Sequence, residues 1–510
     1  MLRALALRAK RSRPGRHCRL SAFFAALVVL AAPAPAGDAV RLAEPVVNPA
    51  SFALLANSRF SVPSGFRPDL PGQVMANVVW AMNRAPMLGT EREFYVATEA
   101  NLYRYDPAAG TLVLHRPGDL RYNSGSAFEV GIVAGLDEDA GSAVQAGLLA
   151  VTAFREEHGA SGCPMRWATD HANETWQTDS PVRMALVFGR AETRALDTTF
   201  AARRTGAAPP ETDEIGLVEP LTAGRDSFEM VLMGLRQDTL FEAWALSLET
   251  VSQLLWAAAG PTPHRTIGGR PGLVIPTGFS DYPHTASVHA VRSAGTGRYH
   301  NRRGDSLART DHRLELRSSV DRREDLRAAV PVPASAPDYF VVAVADSADP
   351  LARQEAGVAA FNLLTQARAL GLAGRLVGPL SRAQARAVAR ALDLPGGETP
   401  RLVFAVGEAA SDVVEAAPEP VEIVRARAVL RRGEGVRVDY LLRVPGPVRV
   451  EVFDMLGRPV HQLPETRRTA GYHSVEWDGT GPDGVRVKPG SYIIGIFGPG
   501  GVAQHKLSVL

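Results

Sequence analysis

Residues 241–280 read FEAWALSLETVSQLLWAAAGPTPHRTIGGRPGLVIPTGFS. A helix begins at Ser247, a good N-cap, with Glu249 in the first turn where the positive helix end favours an acid. Gly260 followed by Pro261 stops it. Leu248, Val251, Leu255 and Ala258 recur at helical spacing, which predicts one buried face. A long loop rich in Gly and Pro follows and ends in Pro276-Thr277-Gly278.

Working outward, the chain from about residue 60 to 404 carries one design twice. Val78-Val79-Trp80-Ala81-Met82 answers Leu254-Leu255-Trp256-Ala257-Ala258, and Arg104-Tyr105-Asp106 answers Arg298-Tyr299-His300. Asp119-Leu120-Arg121 answers Asp325-Leu326-Arg327, and Asp139-Ala140-Gly141 answers Glu355-Ala356-Gly357. Last, MALVFG at 184–189 answers LVFAVG at 402–407. The offset grows through 176, 194, 206, 216 and 218, so the second copy carries extra loop residues.

A Leu-Leu-Trp-Ala-Ala helix, an Arg-containing loop and then Pro-Thr-Gly resembles the flavin-dependent nitroreductase superfamily, especially its branch acting on peptide azolines. The resemblance implies FMN held without a covalent bond and a dimer with flavin between its subunits. Two copies in one chain then imply an intramolecular pseudo-dimer that is a monomer overall. Independently, helices alternating with apolar strands such as YFVVAVA at 339–345 read as an α+β fold, a sheet flanked by helices.

In that family an Arg-x-Ser-x-Arg/Lys run near the domain start holds one end of the flavin. Here it reads Arg236-Gln237-Asp238-Thr239-Leu240, which implies cofactor contacts from Arg236 and Thr239. Asp238 stands where the serine is expected and Leu240 where a second cation is expected; a carboxylate beside a phosphate is repulsive. The resemblance implies further contacts from Pro276, Thr277, Gly278 and Ser280, and from the backbone of Gly374 and Arg375. Glu408 follows the last strand where a basic residue is expected. The first copy lacks the Pro-Thr-Gly element, and its long helix runs into residues 158–173 without a Gly-Leu loop, so the second copy is expected to supply most of any flavin site. No catalytic residue is singled out.

Cys163 with His158 and His171 shows no paired-ligand spacing, so no metal is expected and Cys163 reads as a buried small hydrophobe. His264 and His312 read as hydrogen-bonding structural residues. Residues 381–392 read as a helix capped by Ser381, with Arg382, Arg386 and Arg390 on a solvated face.

The termini add a destination. Arginines up to Arg19, a short apolar run at 20–32 and Ala34-Pro35-Ala36 read as a signal peptide over residues 1–36, so export is expected, with the mature chain starting near Gly37. Residues 37–56 read as an irregular lead-in. No later apolar run approaches membrane-spanning length. With 45% hydrophobic and 22% charged residues and a formal net charge of +2, the 510-residue chain has an ordinary globular composition that points to no nucleic-acid partner.

The copies are expected over residues 60–200 and 225–412, with a Pro-rich linker at 416–421. Beyond it, 421–510 alternates apolar and polar residues between regular glycines, as a small β-sandwich does. FDMLGRPV at 453–460 and AGYHSVEWDG at 470–479 resemble the Ig-like module of exported bacterial proteins, related to hook-capping and type IX sorting domains. That resemblance implies contact with secretion machinery; sorting versions carry Asn-Pro-Phe where this chain has Val429-Leu430-Arg431. The expected function is an exported FMN-dependent oxidoreductase acting on a small oxidised substrate. The alternative is a catalytically degenerate binding or structural protein that keeps only the fold.

Overall fold

The structure, a computed structural model, describes residues 39–191, 214–265, 271–276, 285–302, 310–410, 421–426, 429–430, 435–443, 446–454, 458–469, 471–482, 484–499 and 501–509. The expected signal peptide, Thr277, Gly278, Ser280 and most of the Pro-rich linker lie outside the described residues, as do Leu456 and Gly457.

The first half opens with β1 (Ala39–Arg41), α1 (Phe52–Ser58), β2 (Phe66–Arg67) and α2 (Gly72–Arg84). A meander of β3 (Arg92–Thr98), β4 (Asn101–Asp106) and β5 (Thr111–Pro117) leads to β6 (Phe128–Ala134). Then come α3 (Asp137–Thr152), α4 (Arg155–His158), β7 (Ala160–Met165), α5 (Arg166–Thr175) and β8 (Val182–Ala191). The strands pair antiparallel in the order β7-β8-β6-β3-β4-β5-β1, with β2 also on β8.

The second half repeats that order. It runs β9 (Glu214–Gly216), α6 (Phe228–Met233), α7 (Leu248–Ala259), a β10–β11 ribbon (Pro261–Arg265, Pro271–Leu273), then β12 (Ala286–Arg292), β13 (Gly295–Arg302) and β14 (Thr310–Ser318). It ends with α8 (Arg323–Ala329), β15 (Asp338–Val344), α9 (Pro350–Ala369), β16 (Ala373–Val377), α10 (Arg382–Ala391) and β17 (Thr399–Gly407). Its sheet reads β16-β17-β15-β12-β13-β14-β9, strand for strand the order of the first.

Central strands are apolar throughout: every residue of FEVGIVA in β6 and of DYFVVAV in β15 is buried. Each sheet is covered on both faces. Side chains of α3 with α2 on one side, and of α9 with α7 on the other, fill the two inner cores. Trp176 after α5, and Val388 in α10, anchor the outer ones. Between the sheets α3 packs on α9, and every residue of α3 is buried, which accounts for its Gly/Ala-rich sequence.

Three expectations change. Ser247 does cap α7, its Oγ accepting from Thr250 N (3.2 Å), but residues 251–259 are buried on all sides rather than along one stripe. The reason is position: Trp256 and Ala257 join the first half's core while Leu254, Leu255 and Ala258 join the second's. The lead-in is not irregular, because β1 completes the first sheet's edge on β5 and Ser51 caps α1. Asp119 and Arg121 form an ion pair in a loop, whereas their counterparts Asp325 and Arg327 lie in α8.

The tail forms two sheets. β18 (Val421–Ala426), β20 (Val436–Leu442) and β23 (Gly471–Trp477) make the smaller. β19 (Val429–Leu430), β21 (Gly446–Asp454), β22 (Pro459–Arg468), β24 (Gly490–Gly498) and β25 (Gly501–Val509) make the larger. Alternate residues such as Val438, Tyr440, Val450, Val452 and Ile494 meet around buried Trp477. The tail touches the lead-in: Arg437 pairs with Glu44. Among the described residues no helix is long and apolar enough to cross a membrane, which says nothing of a β-barrel.

Candidate functional site

The structure brings Arg236 and Gly374 together through the residue that departs from the family pattern. Arg236 Nε donates to Asp238 Oδ1 (2.8 Å), Gly374 N donates to Asp238 Oδ2 (3.1 Å), and Asp238 N donates back to Gly374 O (2.9 Å). Leu376 N donates to Gln237 Oε1 (3.0 Å), so residues 236–238 lie along β16. Thr239 and Leu240 point to solvent, and Arg375 is half-buried in the β16–β17 ladder. One carboxylate therefore takes a guanidinium and a backbone donor that an external phosphate would need.

Pro276 is elsewhere. It is buried and lines a small cavity of about 30 Å³ with Gly141, Pro164, Met184, Leu351 and Val358. Along α9, Val358 precedes Gly371 by 13 residues, about 20 Å at 1.5 Å per residue. Pro276 thus lies against α3 and β7 of the first half, while Arg236 and Gly374 lie at the far end of α9. Beside that end opens a cleft of about 1070 Å³ lined by Gly234, Gln253, Gln366, Arg368, Gly371 and, from the tail, Arg443.

The first half has its own version of this region, which sequence reasoning missed. Arg59-Phe60-Ser61 precedes Trp80 as Arg236-Gln237-Asp238 precedes Trp256, at 21 and 20 residues. That spacing was the available signal. Ser61 stands where Asp238 stands, and Arg190 follows Gly189 where Glu408 follows Gly407. After its helices the first half has Gly159-Ala160 in place of a Gly-Leu pair. Gly159, at φ +64°, turns the chain into β7 as Gly371, at φ +77°, turns it toward β16.

Arg59 is 5% exposed, and its NH2 donates to Leu273 O (2.9 Å) and Val274 O (3.3 Å) across the two halves. Arg155 donates to Ser58 O (2.8 Å) and Phe60 O (3.0 Å) and lies 3.8 Å from the Phe60 ring centre. The Phe60 and His264 rings are 5.6 Å apart. Burial pulls Arg59 down to about 10 and Arg155 to about 9, yet both stay cations at neutral pH. Burial, then the two arginines, push His264 down to about 4, so it is neutral. Cys163 is buried as expected, and burial pushes its thiol up to about 12. His312 fits its structural reading: Nε2 meets Ser252 Oγ (2.7 Å) and Nδ1 meets Tyr299 OH (2.8 Å).

Residues 240–408 match the Nitroreductase family. Residues 433–496 match the FlgD Ig-like domain. A solved structure from Anabaena variabilis ATCC 29413, described as a nitroreductase, is 12% identical at a TM-score of 0.51 and covers 69% of this chain and 93% of its own. That share exceeds either half alone, and the likeness is one of fold. A second, from Ralstonia eutropha JMP134, is 28% identical over 39% of this chain and 90% of its own, with a TM-score of 0.31. An FMN-dependent nitroreductase from Clostridium difficile R20291 is 13% identical over 35% of this chain and 86% of its own, at 0.25. No curated protein matches. The α+β, nitroreductase-like fold and the all-β tail stand.

Proposed function

We propose that this protein is an exported, nitroreductase-like oxidoreductase that uses FMN and acts on a small oxidised substrate. The observation that carries the reading is the pair of sheets with one strand order, joined by α3 on α9. On this reading residues 60–200 and 225–412 are two nitroreductase-type units forming a pseudo-dimer inside a monomer. Fusion keeps the second unit at high effective concentration, so no partner chain is needed.

A bound flavin would supply the exchange of an electron pair between a reduced donor and the substrate. The chain's own task is to hold and orient the ring and to exclude water. The Arg236–Asp238–Gly374 cluster fits a phosphate poorly, because its donors already serve Asp238. The Arg59–Ser61 region fits one better, since Arg59 Nε is buried with no partner among the described residues. Pro276 would approach a flavin from the first half's side.

Titrating FMN into the purified chain and following flavin fluorescence tests the proposal. Saturable quenching is expected. Asp238→Ser with Leu240→Arg removes a repulsion and adds a charge-assisted bond at the second grip, so affinity there should rise by about two decades. Absence of quenching in both proteins would favour the second reading, a degenerate binding or structural protein, which the self-contained Asp238 cluster supports.

Export rests on the basic–apolar–Ala-x-Ala order of residues 1–36, and the Ig-like tail is the element that secretion machinery would recognise. N-terminal sequencing of host material should begin near Gly37; an intact Met1 on exported protein would contradict it.

A further inference from the structure

We infer that the cleft of about 1070 Å³ between residues 217–226 and the end of α9 binds a small molecule with an apolar body and one anionic group. The repeat reaches further toward the N-terminus than residue 60. Leu42-Ala43-Glu44-Pro45 answers Leu217-Val218-Glu219-Pro220, each just after an edge strand, β1 or β9. Ser51-Phe52 answers Ser227-Phe228 at the starts of α1 and α6. Each of these two straps hangs from one buried amide, three residues before Trp80 or Trp256. Asn77 Oδ1 accepts from Val46 N (3.0 Å) and its Nδ2 donates to Val46 O (2.7 Å). Gln253 Oε1 accepts from Leu221 N (2.8 Å) and its Nε2 donates to Leu221 O (3.0 Å). Past those brackets the straps differ. The first is pinned down: Asn48 Nδ2 donates to Ala153 O (2.9 Å) at the end of α3, and Asn48 N donates to Glu229 Oε2 (3.2 Å) of α6. The counterparts of Asn48, Ala153 and Glu229 are Ala223, Ala369 and Ala53, and all three line the cleft. The cleft is therefore the space that the first half closes with its own polar side chains.

The lining sets the class of ligand. The three alanines, with Phe52, Met230 and Val231, offer an apolar wall, and the volume is at the upper end of the roughly 300–1,000 Å³ of small-molecule sites. Charge comes from three separate segments: Arg225 of the strap, Arg368 in the last turn of α9, and Arg443 just past β20 of the Ig-like tail. Glu219 and Asp226 line the cleft too, so three cations against two acids leave one positive charge. That balance suits a single negative charge better than a dianion, and a guanidinium fork matches the oxygens of an oxyanion. None of these groups belongs to the Arg59–Ser61 or Arg236–Asp238 segments, so the site stands whether or not flavin binds.

The probe is anilinonaphthalenesulfonate, an aromatic body with one negative charge that fluoresces when taken out of water. Phenylnaphthylamine, the same body without the charge, is the control. Both are titrated into the full chain as wild type, Ala223→Trp, Ala223→Asn, and Arg368→Gln with Arg443→Gln. The sulfonate should bind wild type saturably at one site. Ala223→Trp fills the cleft and should weaken it at least about tenfold, and the double arginine variant should do so by about tenfold, the scale of one charge-assisted bond. Phenylnaphthylamine should bind the double variant as it binds wild type. Ala223→Asn supplies the side chain that pins the first strap, so it should raise the melting temperature while weakening the probe. It is a small change at an exposed position and keeps the test valid if Ala223→Trp fails to fold. Excess FMN should leave the probe in place. A chain that binds the probe but no FMN would end the flavin reading and uphold this site. Displacement of the probe by FMN, equal binding by all variants, or no saturable binding overturns the inference.

Discussion

Gly141 of α3 and Gly357 of α9 lie at reciprocal positions where the two helices cross. A Cβ on Gly141 would stand 1.9 Å from Gln354 O, and one on Gly357 would stand 1.9 Å from Glu138 O. Ser142 Oγ donates to Gly357 O (3.1 Å) at the same crossing. The reciprocity extends outward. Asp139 accepts from Leu88 N and Gly89 N before β3, and Glu355 accepts from Thr285 N and Ala286 N at the start of β12. Ser51 and Ser227 cap α1 and α6 and bridge to each other.

Gly141→Ala and Gly357→Ala should each destabilise the chain. A methyl group cannot enter without parting the helices, which overpacking data put at about 1–3 kcal/mol, against a helix-propensity gain of roughly 1 kcal/mol. Chemical denaturation checks this, and the double variant should be less than additive because both act on one contact.

Glu138 is buried and takes Arg401 Nε (2.8 Å) from the other half. Glu138→Gln leaves that guanidinium without its acid, at a cost of about 3–5 kcal/mol for a buried pair broken on one side. A loss under about 1 kcal/mol, the value of an exposed pair, would show the contact to be solvated.

Stability should depend on pH through Glu229. Burial pushes its carboxyl up to about 7, against the pull of hydrogen bonds from the Asn48 backbone and the Asn77 side chain; Asn48 N donates to Oε2 (3.2 Å). An acid whose folded pKa is raised stabilises the fold below its unfolded value, here 4.5, and that contribution is lost as pH rises through about 7. His264 works the other way, its contribution being lost as pH falls from 6.5 through about 4. Glu229→Gln should therefore stabilise the chain at pH 8, by on the order of 3 kcal/mol, and flatten the decline between pH 5 and 7. Unfolding curves across that range measure it.

The tail has its own apolar core around Trp477, Tyr440 and Ile494. Residues 421–510 expressed alone should unfold cooperatively on heating. A featureless thermal scan would show that the lead-in contact through Glu44 is required.

Much of this was legible beforehand for a physical reason. Caps such as Ser247 and Ser381, and apolar runs such as those of β15 and β17, act locally, so adjacent residues report them. Asp139-Ala-Gly141 and Glu355-Ala-Gly357 were visible as a repeat, though not as the point of mutual contact, which depends on how the sheets face each other. The site was less legible. Reading Arg236, Pro276 and Gly374 as neighbours assumed that one half builds its own pocket, whereas the β10–β11 ribbon crosses to the other half and brings Leu273 and Val274 onto Arg59. Arg59 was overlooked because its partners come from more than 200 residues away.

The most direct test of the central claim, a flavin fold completed within one chain, is sedimentation velocity of the mature protein with FMN, recorded in both protein and flavin absorbance. Flavin absorbance should travel with a species of single-chain mass. Flavin moving only with a two-chain species, or left behind as free FMN at every concentration, would contradict it.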